Sequence, residues 1–282
     1  MKISDINKHA LEQLRRELVL RGYSKNTQRT YCNEFKQFLQ LLGNHDANYM
    51  SNERIRSYFL YCADKLQLKN SQINSRYNAI KFYYEQVLKR NMLLINLPRP
   101  KRASQLPKHI STRDIKKLFS VVTNQKHALM LKLCYGMGLR VSEIVNLKIK
   151  DIDSGNMQVL IESSKGKKDR YVNLPESLLE ELRDYYKKYR PKKYLFEGQS
   201  NGKYSIRSVQ NVFKSAMKKA NINKDVGIHG LRHSYATHLL ESGTDISYIQ
   251  QLLGHSNIRT TLTYANVAQK SLKKVKSPLD NL

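Results

Sequence analysis

The sequence predicts a mainly α fold with a small antiparallel β-sheet, split into a helical N-terminal domain and a mixed α/β C-terminal domain. Three observations carry that expectation. Apolar residues recur at three- and four-residue spacing through residues 1–92, with no strand pattern between them. A basic, proline-containing stretch, 93–110, then interrupts the periodicity. Beyond it the apolar period falls to two over short runs between Leu147 and Leu174 before helical spacing returns.

Taken in order, Leu11, Leu14 and Leu18 mark a first helix that stops near Arg21 and Gly22. Ser24 can cap the second, in which Tyr31, Phe35, Phe38, Leu39 and Leu42 share a face before Gly43. Ser51 can cap a third, with Ile55, Tyr58, Phe59 and Cys62 on one side and Glu53 in the first turn, where negative charge is favoured. Ile73, Tyr77, Ile80, Tyr84, Val87 and Leu88 define a fourth. Pro98, Pro100 and Pro107, with Arg99, Lys101, Arg102 and Lys108, cannot continue a helix, because proline lacks an N–H and clashes with the preceding turn. Residues 93–110 therefore read as an extended basic linker joining a domain at 1–92 to one at 111–282.

From Ser111 the helical pattern resumes, through Ile115, Leu118 and Phe119 and then Leu129, Leu131, Leu133 and Cys134. Gly136 and Gly138 break it, and a new helix starts close to Arg140. LKIKDID, MQVLIES and RYVNL, separated by DSGN and KGKKD, read as a small antiparallel sheet with Lys165 in a hairpin turn. SLLEELRDYYKKY and SIRSVQNVFKSAMKKA return to helical spacing and lead into Ile228–Tyr264, where most of the candidate chemistry sits. The tail, AQKSLKKVKSPLDNL, is basic and then apolar.

Lys and Arg total 50 against 23 acids, a formal charge of +27. Residues 1–100, 101–150 and 151–282 carry +9 each, so the charge is no terminal tail. Such self-repulsion in a chain that is 40% hydrophobic points to a polyanionic partner, nucleic acid first. Lys25, Arg29, Lys36, Arg76 and Lys81, on the exposed faces of the first domain, and Arg99, Lys101 and Arg102 in the linker are the expected backbone contacts. No apolar run approaches the ~20 residues of a spanning helix, and the N-terminus lacks a signal-peptide core, so no membrane is expected. Three cysteines in apolar helical positions, Cys32, Cys62 and Cys134, read as reduced core thiols of a cytoplasmic protein.

Cleaving a phosphodiester needs a nucleophile, neutralisation of the non-bridging oxygens and a proton for the leaving oxygen. Arginine clamps oxygens best, since its planar fork bonds bidentately and keeps its charge. Arg140 and Arg232 lie at predicted helix starts, where backbone N–H groups also favour anions. Glu143, three residues beyond Arg140, shares its helix face and can hold that guanidinium. Lys165 is a point charge suited to protonating a departing 5′ oxygen. His229 can take a hydroxyl proton or bond a phosphoryl oxygen. His255 follows Gly254, which ends the helix SYIQQLL, while Ser256 can cap the next helix, leading to Tyr264 as nucleophile. His127, His233 and His238 read as ordinary core or surface histidines.

Competing sites fail on spacing. Gly230 stands in HGLRH where a zinc-protease helix needs Glu, and Gly166-Lys167 lacks the flanking residues of a P-loop. No Asp/Glu cluster suggests paired metals. The expected chemistry uses no metal and no cofactor, only cationic side chains and a covalent tyrosine.

YGMGLRVSEI, SSKGKKDRYVNL, HGLRHSYATHLLESG and LLGHSNIRTTLTYAN, in this order, resemble the tyrosine recombinases, or phage integrase family, and the resemblance covers nearly the whole chain. It implies a four-helix, SAM-like core-binding domain followed by a tyrosine recombinase catalytic domain. Arg140 and Arg232 match the two phosphate-clamping arginines, Lys165 the hairpin general acid, and His229 the helical histidine. His255 fills a slot held by His or Trp, Glu143 supports the first arginine, and Tyr264 matches the nucleophile. The implied reaction passes through a 3′-phosphotyrosyl intermediate and a Holliday junction without ATP, on a homotetramer spanning two short core sites, with or without a second recombinase, at the nucleoid. Without an additional N-terminal arm-binding domain the chain is similar to short, Xer-like members. Leu272, Val275, Pro278 and Leu282 in the tail are candidates for docking on a neighbouring subunit. A type IB topoisomerase-like relaxing enzyme and a non-catalytic DNA-binding protein of this fold are the alternatives.

Overall fold

A computed structural model of the protein describes residues 2–90, 107–162, 169–199 and 202–265. The chain separates into two compact units, Met1–Ser104 and Gln105–Leu282, each with its own apolar core. No helix among the described residues is long and apolar enough to cross a membrane.

The first unit holds α1 (Asp5–Leu20), α2 (Lys25–Leu42), α3 (Asn52–Asp64) and α4 (Asn70–Phe82). Ser24 Oγ accepts from Thr27 N–H and Ser51 Oγ from Arg54 N–H, satisfying donors that a helix start leaves open. Leu14, Leu18, Phe35, Phe38 and Leu39 are fully buried, each worth about 1.5–3 kcal/mol relative to exposure. The fourth helix does not continue at one period to Leu88. It widens into a π-helical turn, Tyr83–Val87, which lets both Tyr83 and Tyr84 face the core. Their hydroxyls donate to Asn48 Oδ1 (2.6 Å) and to the Ala47 carbonyl (2.7 Å), so neither is buried unsatisfied.

Arg76 is a correction to the expected DNA-facing set. It is 3% exposed, its Nε lies 3.0 Å from Glu34 Oε2, and its Nη2 bonds Gln37 Oε1. The face of α4 that meets α2 finds an acid and an amide there, so this guanidinium is consumed inside the unit. Lys25, Arg29 and Lys36 are exposed, while Lys81 pairs with Glu85 at 3.5 Å.

The second unit begins earlier than the linker boundary suggested. Ile110 is fully buried and its N–H donates to Ser234 Oγ at 2.8 Å, and Lys108 Nζ pairs with Asp225 at 2.8 Å. Helices α5 (Thr112–Ser120), α6 (Gln125–Gly136) and α7 (Val141–Asn146) precede the sheet. Its strands, β1 (Ile152–Asp153), β2 (Gln158–Ile161) and β3 (Arg170–Asn173), run antiparallel in that order. Val159 sits opposite both Ile152 and Val172, and Ile161 opposite Arg170. Much of LKIKDID is a 3₁₀ turn, Ile149–Asp151, because the Asp151 carboxylate accepts the Lys148 N–H and closes the chain on itself.

Helices α8 (Glu176–Tyr189), α9 (Ile206–Lys219), α10 (His229–Glu241), α11 (Ile246–Leu253) and α12 (Ile258–Ala265) complete the unit. Leu231, Arg232, Ser234, Ala236 and Thr237 are all buried, so α10 is enclosed on several sides, by α6, α11 and α12. The cap of α12 comes from Asn257, whose Oδ1 accepts the Arg259 N–H at 2.9 Å, rather than from Ser256.

Candidate active site

Two turns deliver the site residues. Gly138, with φ +59°, reverses the chain after α6, and a Cβ there would lie 2.4 Å from the Tyr235 ring. The turn leaves Arg140 as the residue capping α7, where the Glu143 carboxylate accepts the Arg140 backbone N–H at 2.8 Å. Gly254, with φ +61°, ends α11 in the left-handed conformation and turns His255 back towards α10.

Glu143 is the hub. Its Oε1 lies 2.7 Å from Arg140 Nη1. Arg170, on β3, grips both oxygens, Nη1 to Oε1 at 3.0 Å and Nη2 to Oε2 at 2.9 Å. Arg232 Nη1 stands 3.7 Å from Oε2 and donates to the Gly138 carbonyl at 2.8 Å, while Nη2 donates to the Leu253 carbonyl at 2.5 Å. Arg170 Nε donates to the neighbouring Leu252 carbonyl at 2.8 Å. One carboxylate thus organises three guanidiniums and, through Leu252 and Leu253, the end of the helix that presents His255.

Burial works to raise the Glu143 pKa, but the Arg170 hydrogen bonds and the surrounding positive charge overcome it and hold the carboxyl down to about 2. Burial, then the nearby Arg140, pull Arg232 down to about 9, which leaves it charged at neutral pH. Three cations around one anion make a standing positive surplus in a partly buried place, which is what a phosphate would neutralise.

His255 Nε2 receives a hydrogen bond from Arg232 Nη2 at 3.1 Å, since a guanidinium can only donate. Its Nδ1 then carries the hydrogen and donates to Thr261 Oγ1 at 3.0 Å. Tyr264 is 2% exposed, and its hydroxyl lies 2.9 Å from His233 Nδ1. Its ring lies nearly parallel to that of His255, centroids 6.4 Å apart, and the rings of His229 and His233 meet edge to face at 5.5 Å. Burial raises the Tyr264 pKa, and Arg232 and Arg140 oppose that rise. Burial and then Arg232 and Arg140 depress His229; burial, His229 and Arg232 take His233 down to about 4.

Arg140, Glu143, His229, Arg232, His255 and Tyr264 are therefore gathered in one place. Lys165, Arg99, Lys101, Arg102 and the tail residues Leu272, Val275, Pro278 and Leu282 lie outside the described residues. Two members of the cluster were not foreseen. Arg170 stands 27 positions from Glu143, and nothing local marks the pair. His233, which the sequence presents as an ordinary histidine, bonds the tyrosine hydroxyl; its place one helical turn after His229 is the sequence signal for it.

Residues 108–271 match the phage integrase family, and residues 10–93 match the phage integrase N-terminal SAM-like domain. A putative integrase/recombinase of Sinorhizobium fredii is 36% identical over 96% of this chain and 88% of its own length. Tyrosine recombinase XerA of Pyrococcus horikoshii is 36% identical over 95% and 93%. A crystal structure of XerA recombinase superimposes with a TM-score of 0.56 at 27% identity, covering 95% of this chain and 97% of that one. XerH recombinase bound to palindromic difH substrate in a post-cleavage complex gives a TM-score of 0.76 over 88% and 78%; at 20% identity it speaks to the fold alone. The chain belongs to the phage integrase family and is a tyrosine recombinase, an enzyme of site-specific DNA cutting and rejoining.

Proposed function

We propose that Tyr264 is the nucleophile of this recombinase and that Arg140 and Arg232 clamp the scissile phosphate of duplex DNA, with His229 and His255 beside them and Glu143 holding the clamp together. The single observation that carries the reading is the positive surplus around Glu143 next to the buried Tyr264 hydroxyl. Attack by Tyr264 gives a 3′-phosphotyrosyl enzyme, and Lys165 protonates the departing 5′ oxygen. A 5′ hydroxyl from the partner duplex then attacks the phosphotyrosine, exchanging one strand at a time through a Holliday junction. The bond energy is retained in the protein–DNA linkage, so the reaction needs no ATP. Relatives crystallised on DNA, among them XerH on difH and a λ integrase dimer on a core site, support double-stranded DNA as the partner. A homotetramer on two sites, in the nucleoid, with the tail docked on a neighbour, completes the proposal.

The test is a nicked suicide duplex that traps the covalent adduct. Tyr264→Phe should bind DNA normally and form no adduct. An adduct with that variant would refute the assignment of the nucleophile.

A further inference from the structure

We propose that His233 is the catalytic base that takes the proton from Tyr264 as its oxygen attacks the phosphate. This rests on the reading of Tyr264 as nucleophile. Three histidines belong to the cluster, and their contacts separate them. His255 already uses both ring nitrogens, on Arg232 and Thr261. His229 sets its ring edge-to-face against His233, 5.5 Å away. His233 bonds the hydroxyl itself, Nδ1 to Oη at 2.9 Å, within the reach that proton transfer requires. Tyr264 is 2% exposed, so bulk water is a poor competitor for that proton.

The placement suits the task in two further ways. His233 follows Arg232 on α10, so the clamp and the base ride on one buried helix and keep their spacing. Burial, His229 and Arg232 together keep the imidazole neutral at pH 7, with Nδ1 open to accept when Nε2 carries the ring hydrogen. A phosphate entering the clamp cancels part of that positive field and makes the imidazole more basic when it is needed.

The step balances. The Oη–H bond breaks and its proton passes to His233 Nδ1 as the Oη–P bond forms and the P–O5′ bond breaks. The departing oxygen takes its proton from the acid assigned to Lys165. In rejoining, a 5′ hydroxyl attacks phosphorus and the His233 imidazolium returns its proton to the tyrosine oxygen.

The experiment compares two nicked suicide duplexes. One carries an ordinary phosphodiester. The other carries a 5′-bridging phosphorothiolate, whose sulfur leaves without a proton. His233→Ala and His233→Asn, each confirmed by melting and by DNA binding to be folded, are expected to slow adduct formation on both duplexes by about 10²- to 10⁴-fold. Lys165→Ala should be slow on the ordinary duplex and recover on the phosphorothiolate. Asparagine can hold the phenol by a hydrogen bond but cannot take its proton, so wild-type rates in His233→Asn would overturn the inference. Recovery of His233→Ala on the phosphorothiolate would overturn it too, by moving the residue to the leaving-group side. Tyr264→Phe separates the two readings. An adduct there removes the nucleophile and this inference together, whereas an inert Tyr264→Phe beside a fully active His233→Ala removes His233 alone.

Discussion

Arg76 in the N-terminal unit and Arg232 in the C-terminal unit are almost equally buried, at 3% and 2% exposed, but they meet opposite electrostatic surroundings. Arg76 bonds the Glu34 carboxylate at 3.0 Å and the Gln37 amide, one cation to one anion. Among the described residues Arg232 shares one carboxylate, 3.7 Å away, with Arg140 and Arg170, and its nearer partners are two backbone carbonyls and the His255 imidazole, none of them charged against it. Burial of a charge is costly unless it is compensated, so a buried pair is a structural solution. A buried surplus fits the proposed clamp, because it leaves the compensation to a ligand. Burial alone does not tell the two apart; the local charge count does.

The largest effect should follow from removing the surplus. Arg232→Ala is expected to slow adduct formation by about 10³-fold, roughly 4 kcal/mol, as when a preorganised contact to developing charge is lost. Glu143 keeps Arg140 and the bidentate Arg170, so the loss of stability should come from the Gly138 and Leu253 carbonyls, which lose their donor, at about 1–3 kcal/mol each at most. Single-turnover cleavage beside thermal melting measures both, and wild-type cleavage in Arg232→Ala would remove it from the clamp.

Arg76→Met reverses the pattern. Glu34, with its side chain 18% exposed, loses its ionic partner, and breaking a buried pair on one side costs about 3–5 kcal/mol. Denaturant unfolding should show that loss in the N-terminal unit. Cleavage by the folded fraction, at a temperature where the variant is native, should match the wild type. A catalytic defect without a stability defect would show that Arg76 had been assigned to the wrong class.

The sequence separated these two arginines only in part. Arg140 and Glu143 were legible because they are three residues apart at a helix start, where spacing fixes contact. Arg232 was legible from its place in Ile228–Tyr264. Its charge alone marks Arg76 as a surface residue, but it falls on the stripe of Ile73, Tyr77 and Ile80 and points inward. Its partners lie 42 and 39 residues away, on α2, and no local pattern names them. The same limit hid Arg170 from Glu143 and His233 from Tyr264, 31 residues on. The helices and their stops came from periodicity and glycine. The widening at Tyr83–Val87 did not, because an apolar stripe looks the same whether one residue is inserted in a turn or none.

The smallest effect belongs to the cations that neither unit buries. Lys25, Arg29 and Lys36 are exposed on α2, and in the proposed complex they meet DNA phosphates rather than protein acids. Each phosphate contact releases counterions, so losing one should lower the slope of log affinity against log salt by about 0.9. Between 50 and 200 mM salt that is roughly a fourfold change in affinity per residue. Lys25→Ala, Arg29→Ala and Lys36→Ala are therefore expected to flatten the salt dependence one step each, measured by duplex-binding titrations. Arg76→Met should leave the slope unchanged, because its charge is already spent on Glu34. A slope that falls with Arg76→Met and stays constant with the three surface variants would put the DNA on the opposite set of residues.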